Sequence, residues 1–219
     1  MAEAALARHD LVDPDPAAWT ALLAGRPDLA GLPHLSGWAA AGRPLVVRRR
    51  HPGEAPDAVP LGLPLPPADG KRRIGLSLPR GSVSRRTPPS LDALRTAAPD
   101  FWRPTLDALD ALARSHGIAC RAFGSLLWQG LTGLPYLSAA SDLDLLWFAG
   151  SVPRAFLDGI ARIEATAAMR IDGELVLPDG AGINWRELHG AAPCAEVLAK
   201  HLDRLEMRAA APLFHGAAA

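Results

Sequence analysis

The sequence predicts an α/β (α+β) protein in which a mixed sheet flanked by helices follows a smaller, Pro-rich, basic N-terminal part. Three observations carry this. From residue 91 onward, stretches with apolar residues every three or four positions alternate with short continuous apolar runs, the pattern of helices interleaved with buried strands. Before residue 90 the chain is dense in Pro and Gly, with only short apolar segments between them. Cations also concentrate there: ten Lys or Arg lie between Arg43 and Arg86 against three acids, Glu54, Asp57 and Asp69, although the 219-residue chain has zero formal net charge. The expected division is 1–90 and 91–219.

Each element has its own warrant. Asp15 is placed to cap a short helix, with Pro16 in first position and Gly25 at its end. Residues 44–49 read as a strand. The stretch onward through Pro67, including Leu61-Gly62-Leu63-Pro64-Leu65-Pro66-Pro67, reads as loop or short extended pieces. Residues 71–78 form a second strand and 80–86 a basic connector. Ser90 is placed to cap a helix. Between 104 and 115, Leu106, Leu109 and Leu112 share one helical face, and Gly117 supplies the stop. Residues 118–123 are a compact strand broken by Gly124-Ser125, and 126–130 begin a helix. A buried strand at 143–148, a helix at 153–167 and a strand or hairpin at 170–177 follow, turning at Pro178-Asp179-Gly180. Asn184-Trp185-Arg186-Glu187 has the cap residue and the acid three places on that a capping box requires. A last helix is expected over 195–209.

Composition sets bounds on function. With 49% hydrophobic and 21% charged residues, the chain has the make-up of a folded protein. Zero net charge gives no global sign of nucleic-acid binding. Cys120 and Cys194 are the two cysteines, without Cys/His ligand spacing, so neither a disulfide framework nor a zinc site is expected. The first ten residues lack the apolar run of a signal peptide, and no window is apolar for long enough to cross a bilayer. The expected location is the cytoplasm.

The chemistry-bearing stretch is Phe123-Gly124-Ser125, followed by Ser141-Asp142-Leu143-Asp144-Leu145-Leu146. On an extended strand alternate side chains share a face, so Asp142 and Asp144 point one way while Leu143 and Leu145 enter the core. Two neighbouring carboxylates repel when both are ionised, and a hard divalent cation such as magnesium relieves that repulsion. Glycine at a strand end lets backbone approach a ligand closely. The Ser125 hydroxyl and the free amides of the following helix suit phosphate oxygens. The bland alternatives are a solvated strand end for the aspartates and a plain turn for Gly-Ser.

Taken together, these motifs resemble the DNA-polymerase-β-like nucleotidyltransferase superfamily, with one departure. The gap from Ser125 to Asp142 is lengthened by Thr132-Gly133-Leu134-Pro135-Tyr136-Leu137. With that insertion, the run from Phe123 through Leu137 and on to Trp147 resembles the phosphoribosyl-dephospho-CoA transferases of malonate decarboxylase. Further matches are Arg8-His9-Asp10-Leu11, Pro44-Leu45-Val46-Val47-Arg48-Arg49, Pro60-Leu61-Gly62-Leu63-Pro64, Asp172-Gly173-Glu174-Leu175-Val176-Leu177-Pro178-Asp179-Gly180 and Asn184-Trp185-Arg186-Glu187-Leu188.

The resemblance implies a reaction. A serine hydroxyl of an apo acyl carrier subunit attacks triphosphoribosyl-dephospho-CoA at the phosphorus next to the ribose, and diphosphate leaves. It implies Mg2+ held by Asp142 and Asp144, substrate phosphate at Gly124 and Ser125, and no nucleic-acid or membrane partner. Competing readings keep the fold and change the acceptor, or make the chain a non-catalytic adaptor.

Secondary candidates follow. Asp172 is the first choice for a third carboxylate and Glu174 the second, since they share a face if the segment is extended. Arg48 or Arg49 could hold the donor's phosphates, or the basic region could dock an acidic carrier. Arg186 and Lys200 are weaker candidates of the same type. Tyr136 is the aromatic expected to stack on adenine, ahead of Trp128; Trp147 is expected in the core. His9 and Asp179 are read as turn residues. For each charged candidate the plain alternative is a solvated surface position.

Overall fold

The computed structural model describes residues 5–192 and 194–214, so the final residues of the chain lie outside the description. The chain packs as two units. One runs to Pro88 and takes in Leu134–Tyr136; the other holds Pro89–Gly133 and the chain from Leu137 onward.

Among the described residues, the first unit is a five-stranded antiparallel sheet with one α-helix. Its elements are β1 (Leu11–Pro14), α1 (Pro16–Ala24), β2 (Leu45–Val47), β3 (Ala58–Pro64), β4 (Arg73–Pro79) and β5 (Val83–Arg86), in sheet order β4-β3-β2-β1-β5. Asp15 caps α1 as expected, its Oδ1 accepting from Ala18 N at 2.8 Å. Trp19 and Trp38 fill the core, and each indole N–H donates to a carbonyl, Leu35 O and Pro44 O respectively.

Two expectations need correction here. The Pro-rich stretch holds one continuous strand of seven residues rather than loop or short extended pieces: β3 pairs with β4 along its whole length, from Ala58 opposite Pro79 to Pro64 opposite Arg73. Pro60 O accepts from Arg48 N, whereas Leu65 N donates to Arg72 O. Even-numbered residues of β3 therefore turn their backbone groups toward β2 and odd-numbered ones toward β4. The prolines at 60 and 64 both present their missing N–H to the β2 side, where pairing covers only Leu61 and Gly62, so the β4 ladder is untouched. The basic connector likewise contains a strand, since β5 pairs with β1 from Val83 opposite Pro14 to Arg86 opposite Leu11.

The second unit is a six-stranded mixed sheet with helices. Its elements are α2 (Arg103–Ser115), β6 (Ala119–Phe123), α3 (Gly124–Thr132), β7 (Leu143–Phe148), α4 (Arg154–Glu164), β8 (Ile171–Val176), β9 (Gly182–Asn184), α5 (Trp185–Gly190), β10 (Glu196–Lys200) and β11 (Leu205–Ala209). Strand order is β11-β10-β9-β8-β7-β6, with β7 and β8 parallel and every other pair antiparallel. Leu143, Leu145 and Trp147 on β7 are buried with Ile171 and Leu175 on β8. Trp147 meets Phe156 of α4 edge to face, ring centroids 6.1 Å apart, so it is core as expected. Its indole fits because a Cβ at Gly173 would lie 2.6 Å from Trp147 Cζ3.

The expected last helix does not form. Residues 195–209 are the hairpin β10–β11, closed by His201 N donating to Arg204 O at 2.9 Å. Ala, Leu, Glu and Lys favour helix locally, but β10 pairs with β9 and buries Val197 and Ala199, and that tertiary pairing overrides the local preference. Ser90 caps only a single tight turn, its Oγ accepting from Ala93 N.

Candidate active site

Strand direction and register bring the sequence-flagged carboxylates of the second unit to one end of its sheet. β6 runs antiparallel to β7, so its C-terminal Phe123 lies opposite Asp144. β8 runs parallel to β7 and sets Asp172 directly beside Asp144. β9 runs antiparallel to β8, with Asn184 opposite Glu174, so the N-terminus of α5 arrives at the same end. Asp142, immediately before β7, shares a face with Asp144 by strand alternation. Leu143 and Leu145 face the other way and are fully buried, which fixes the strand.

Gly124 is what lets β6 and β7 meet so closely. It has φ +66, and a Cβ there would lie 1.9 Å from Asp144 Oδ2. The glycine opens α3 directly, two residues before the start read from sequence, so Ser125 sits half-buried in the first turn. The first turn of α3, with its amides that have no partner within the helix, therefore begins beside the Asp144 carboxylate.

The carboxylates have specific counterparts. Asp172 Oδ1 accepts from Gly173 N at 2.9 Å and from Asn184 Nδ2 at 3.2 Å. The Asn184 Oδ1 accepts from Arg186 N and Glu187 N, capping α5, so one amide side chain both starts a helix and orients Asp172. Arg170 Nη1 lies 3.5 Å from Asp142 Oδ2. The Arg186 guanidinium chelates Glu164, donates to Ile171 O and lies over the Trp185 ring. Its pKa is raised mainly by Glu164, with Asp172 and Asp142 adding to the effect. Arg186 is thus a fixed positive charge behind the aspartates, itself held by Glu164, whose pKa is correspondingly lowered. In the sequence Asn184 shows only as a cap and Arg170 carries no signal, because both roles depend on the strand pairing.

Hard carboxylate oxygens from Asp142 and Asp144 on one face are a donor set that fits a divalent cation such as Mg2+. The three aspartates are not drawn into a tight ligand cage. Among the described residues, the trio with ligand atoms within 4.8 Å of one another is Asp179, His201 and Glu206, where the carboxylates are already bridged by Arg208.

The other candidates make their own contacts, and Glu174 shares a face with Asp172 on β8, as its extended conformation requires. Glu174 is 6% exposed, and its Oε1 accepts from Lys200 Nζ at 3.0 Å. Tyr136 is 3% exposed, and its hydroxyl donates to Pro64 O at 2.8 Å within the first unit. Burial raises its pKa. Trp128 is buried in the same way. Arg48 belongs to the first unit and ties its strands together: its guanidinium donates to Leu61 O, Leu76 O and Arg49 O and pairs with Glu54, whose pKa falls to about 2. Its donors are thus engaged within the first unit. The Arg49 side chain is exposed. His9 occupies a turn at φ +67, its N donating to Val47 O. Asp179 holds the turn after β8 through Ala181 N. Burial pushes the Cys120 thiol up to about 12.

Fold and site together define an α/β protein whose carboxylates, helix N-terminus and capping amide converge at one end of a mixed sheet, an arrangement suited to group transfer at phosphorus. Comparison with known proteins sharpens this. Residues 90–211 match the family described as phosphoribosyl-dephospho-CoA transferase MdcG C-terminal domain, and 7–89 match its N-terminal domain. The chain belongs to the phosphoribosyl-dephospho-CoA transferase family. A protein of that name from Bradyrhizobium diazoefficiens is 48% identical over 202 residues, covering 90% of this chain and 88% of its own length. One from Xanthomonas euvesicatoria is 42% identical, with 93% and 95% covered, and one from Pseudomonas putida W619 is 34% identical, with 70% and 73% covered. No solved structure matches. Among the described residues no helix is long and apolar enough to cross a membrane.

Proposed function

We propose that this chain transfers the 2′-(5″-phosphoribosyl)-3′-dephospho-CoA group from its triphosphate precursor to a serine of the apo acyl carrier subunit of malonate decarboxylase, with release of diphosphate, in the cytoplasm. The observation that carries the proposal is the register that sets Asp144 between Gly124 and Asp172.

In this reading the first-turn amides of α3 and the Ser125 hydroxyl hold the donor's phosphate oxygens. Asp172, kept in orientation by Asn184, takes the proton from the acceptor serine. The serine oxygen forms a bond to the phosphorus next to the ribose, the bond from that phosphorus to the bridging oxygen of diphosphate breaks, and the electron pair leaves with diphosphate. Asp142 and Asp144 would hold Mg2+, which would supply charge neutralisation at the triphosphate and the leaving group. Arg170 and Arg186 limit the repulsion among the aspartates. Exposed cations of the first unit, Arg49 among them, meet the carrier, on the expectation that its surface is acidic.

The test is diphosphate release measured with triphosphoribosyl-dephospho-CoA, Mg2+ and the apo carrier subunit. Release is expected only when donor and carrier are both present, and ATP should not replace the donor. Equal release with ATP, or release indifferent to the carrier, would overturn the proposed donor or acceptor.

A further inference from the structure

The outermost strand of the mixed sheet, β11, pairs with β10 on one side, and among the described residues no strand pairs with the other. His201 N donates to Arg204 O and Ala210 N donates to Ala195 O. Even-numbered residues of the strand therefore turn their backbone groups toward β10, and those of Leu205, Met207 and Ala209 point away from it. The side chains of Leu205 and Met207 are 47% and 56% exposed, two of the three large apolar side chains exposed among the described residues. Of the devices that blunt sheet edges, Leu205–Ala209 lacks Pro, Lys and a bulge; its two charges, Glu206 and Arg208, are paired with each other and with His201 and Asp179.

The sequence of this edge is complementary to itself. Turned about a two-fold axis through Met207, Leu205-Glu206-Met207-Arg208-Ala209 sets Leu205 against Ala209, Met207 against Met207 and Glu206 against Arg208. The residues with outward backbone groups then form the hydrogen-bonded pairs. Glu206 and Arg208 fall in the non-hydrogen-bonded pairs, where side chains come closest and opposite charges stabilise. Shifting the register by two residues either way puts Glu206 opposite Glu206 or Arg208 opposite Arg208. A shift by one breaks the hydrogen-bond parity. Charge and backbone thus select the same alignment.

We propose that this chain is a homodimer formed by antiparallel pairing of β11 with β11 of a second copy, joining the two mixed sheets into one. A two-fold axis perpendicular to the joined sheet puts the two aspartate clusters at opposite ends of its strands. The proposal is independent of the reaction assigned above.

Sedimentation velocity on the full chain at tens of micromolar tests it, with mass twice 23.1 kDa expected. Met207→Lys places two ammonium groups across the axis on an exposed position and should halve the mass without changing the circular-dichroism melt. A monomeric wild-type chain would overturn the proposal, as would a dimer that Met207→Lys leaves intact. A monomer that gains mass only with added apo carrier subunit, and loses that gain on Met207→Lys, would overturn it too and assign the edge to the carrier.

Discussion

The Asp144 carboxylate occupies the space that a side chain on Gly124 would need: a Cβ there would lie 1.9 Å from Oδ2 and 2.7 Å from Cγ. The glycine and the aspartate are therefore one structural unit, joined by the pairing of Phe123 with Asp144. Gly124→Ala must move the carboxylate, and it also forces φ +66 on a residue with a Cβ, at a cost of about 1 kcal/mol. Displacing a reacting group by about 1 Å costs on the order of 100-fold in rate. Transfer by Gly124→Ala should drop by at least that factor while the melting temperature falls by only a few degrees.

Asn184 serves Asp172 and the start of α5 at once, and two substitutions separate the roles. Asn184→Asp keeps a good helix cap but replaces the amide donor to Asp172 with a like charge. Its stability should stay within about 0.5 kcal/mol of wild type while transfer falls steeply and its pH profile shifts. Asn184→Ala loses both functions, with about 1 kcal/mol of stability gone as well. Equal activity of Asn184→Asp and wild type would remove Asp172 from the mechanism.

Arg48 and its neighbour should behave differently. Arg48→Ala strips carbonyl partners from two strands and leaves Glu54 without its cation, at about 2 kcal/mol in urea unfolding. Arg49→Ala removes an exposed charge and should leave stability unchanged, lowering the apparent affinity for the carrier in a salt-dependent way.

Acid should weaken both units. Glu54 is held at about 2 by Arg48, and Glu164 is lowered by Arg186, each from an ordinary value of 4.5. A depressed folded pKa gives stability that is complete above the unfolded value and lost as pH falls through the folded one. Urea midpoints should therefore be level near neutrality and decline below about pH 4.5. Glu164→Gln should cost about 2 kcal/mol at pH 7 and flatten that decline.

Much of this architecture is legible in the chain because its periodicities are strong. Leu106, Leu109 and Ala113 mark the buried face of α2, and the Leu143–Phe148 run marks β7. The alternation that puts Asp142 and Asp144 on one face follows from a period of two and needs no fold. What could not be read is register. Only the parallel pairing of β7 with β8 puts Asp172 beside Asp144, and only β9 brings Asn184 to it. Pro60 and Pro64 hid β3, because what matters is which side of the strand their nitrogens face. Helix-favouring residues hid the β10–β11 hairpin, where pairing with β9 decides.

The most direct measurement is the intact mass of the apo carrier subunit after incubation with donor, Mg2+ and either the wild-type chain or Asp144→Asn. The account predicts that wild type adds one phosphoribosyl-dephospho-CoA group to the carrier and that Asp144→Asn, folded by circular dichroism, adds none. Full modification by Asp144→Asn would contradict it, because the carboxylate that Gly124 makes room for would then have no part in the transfer.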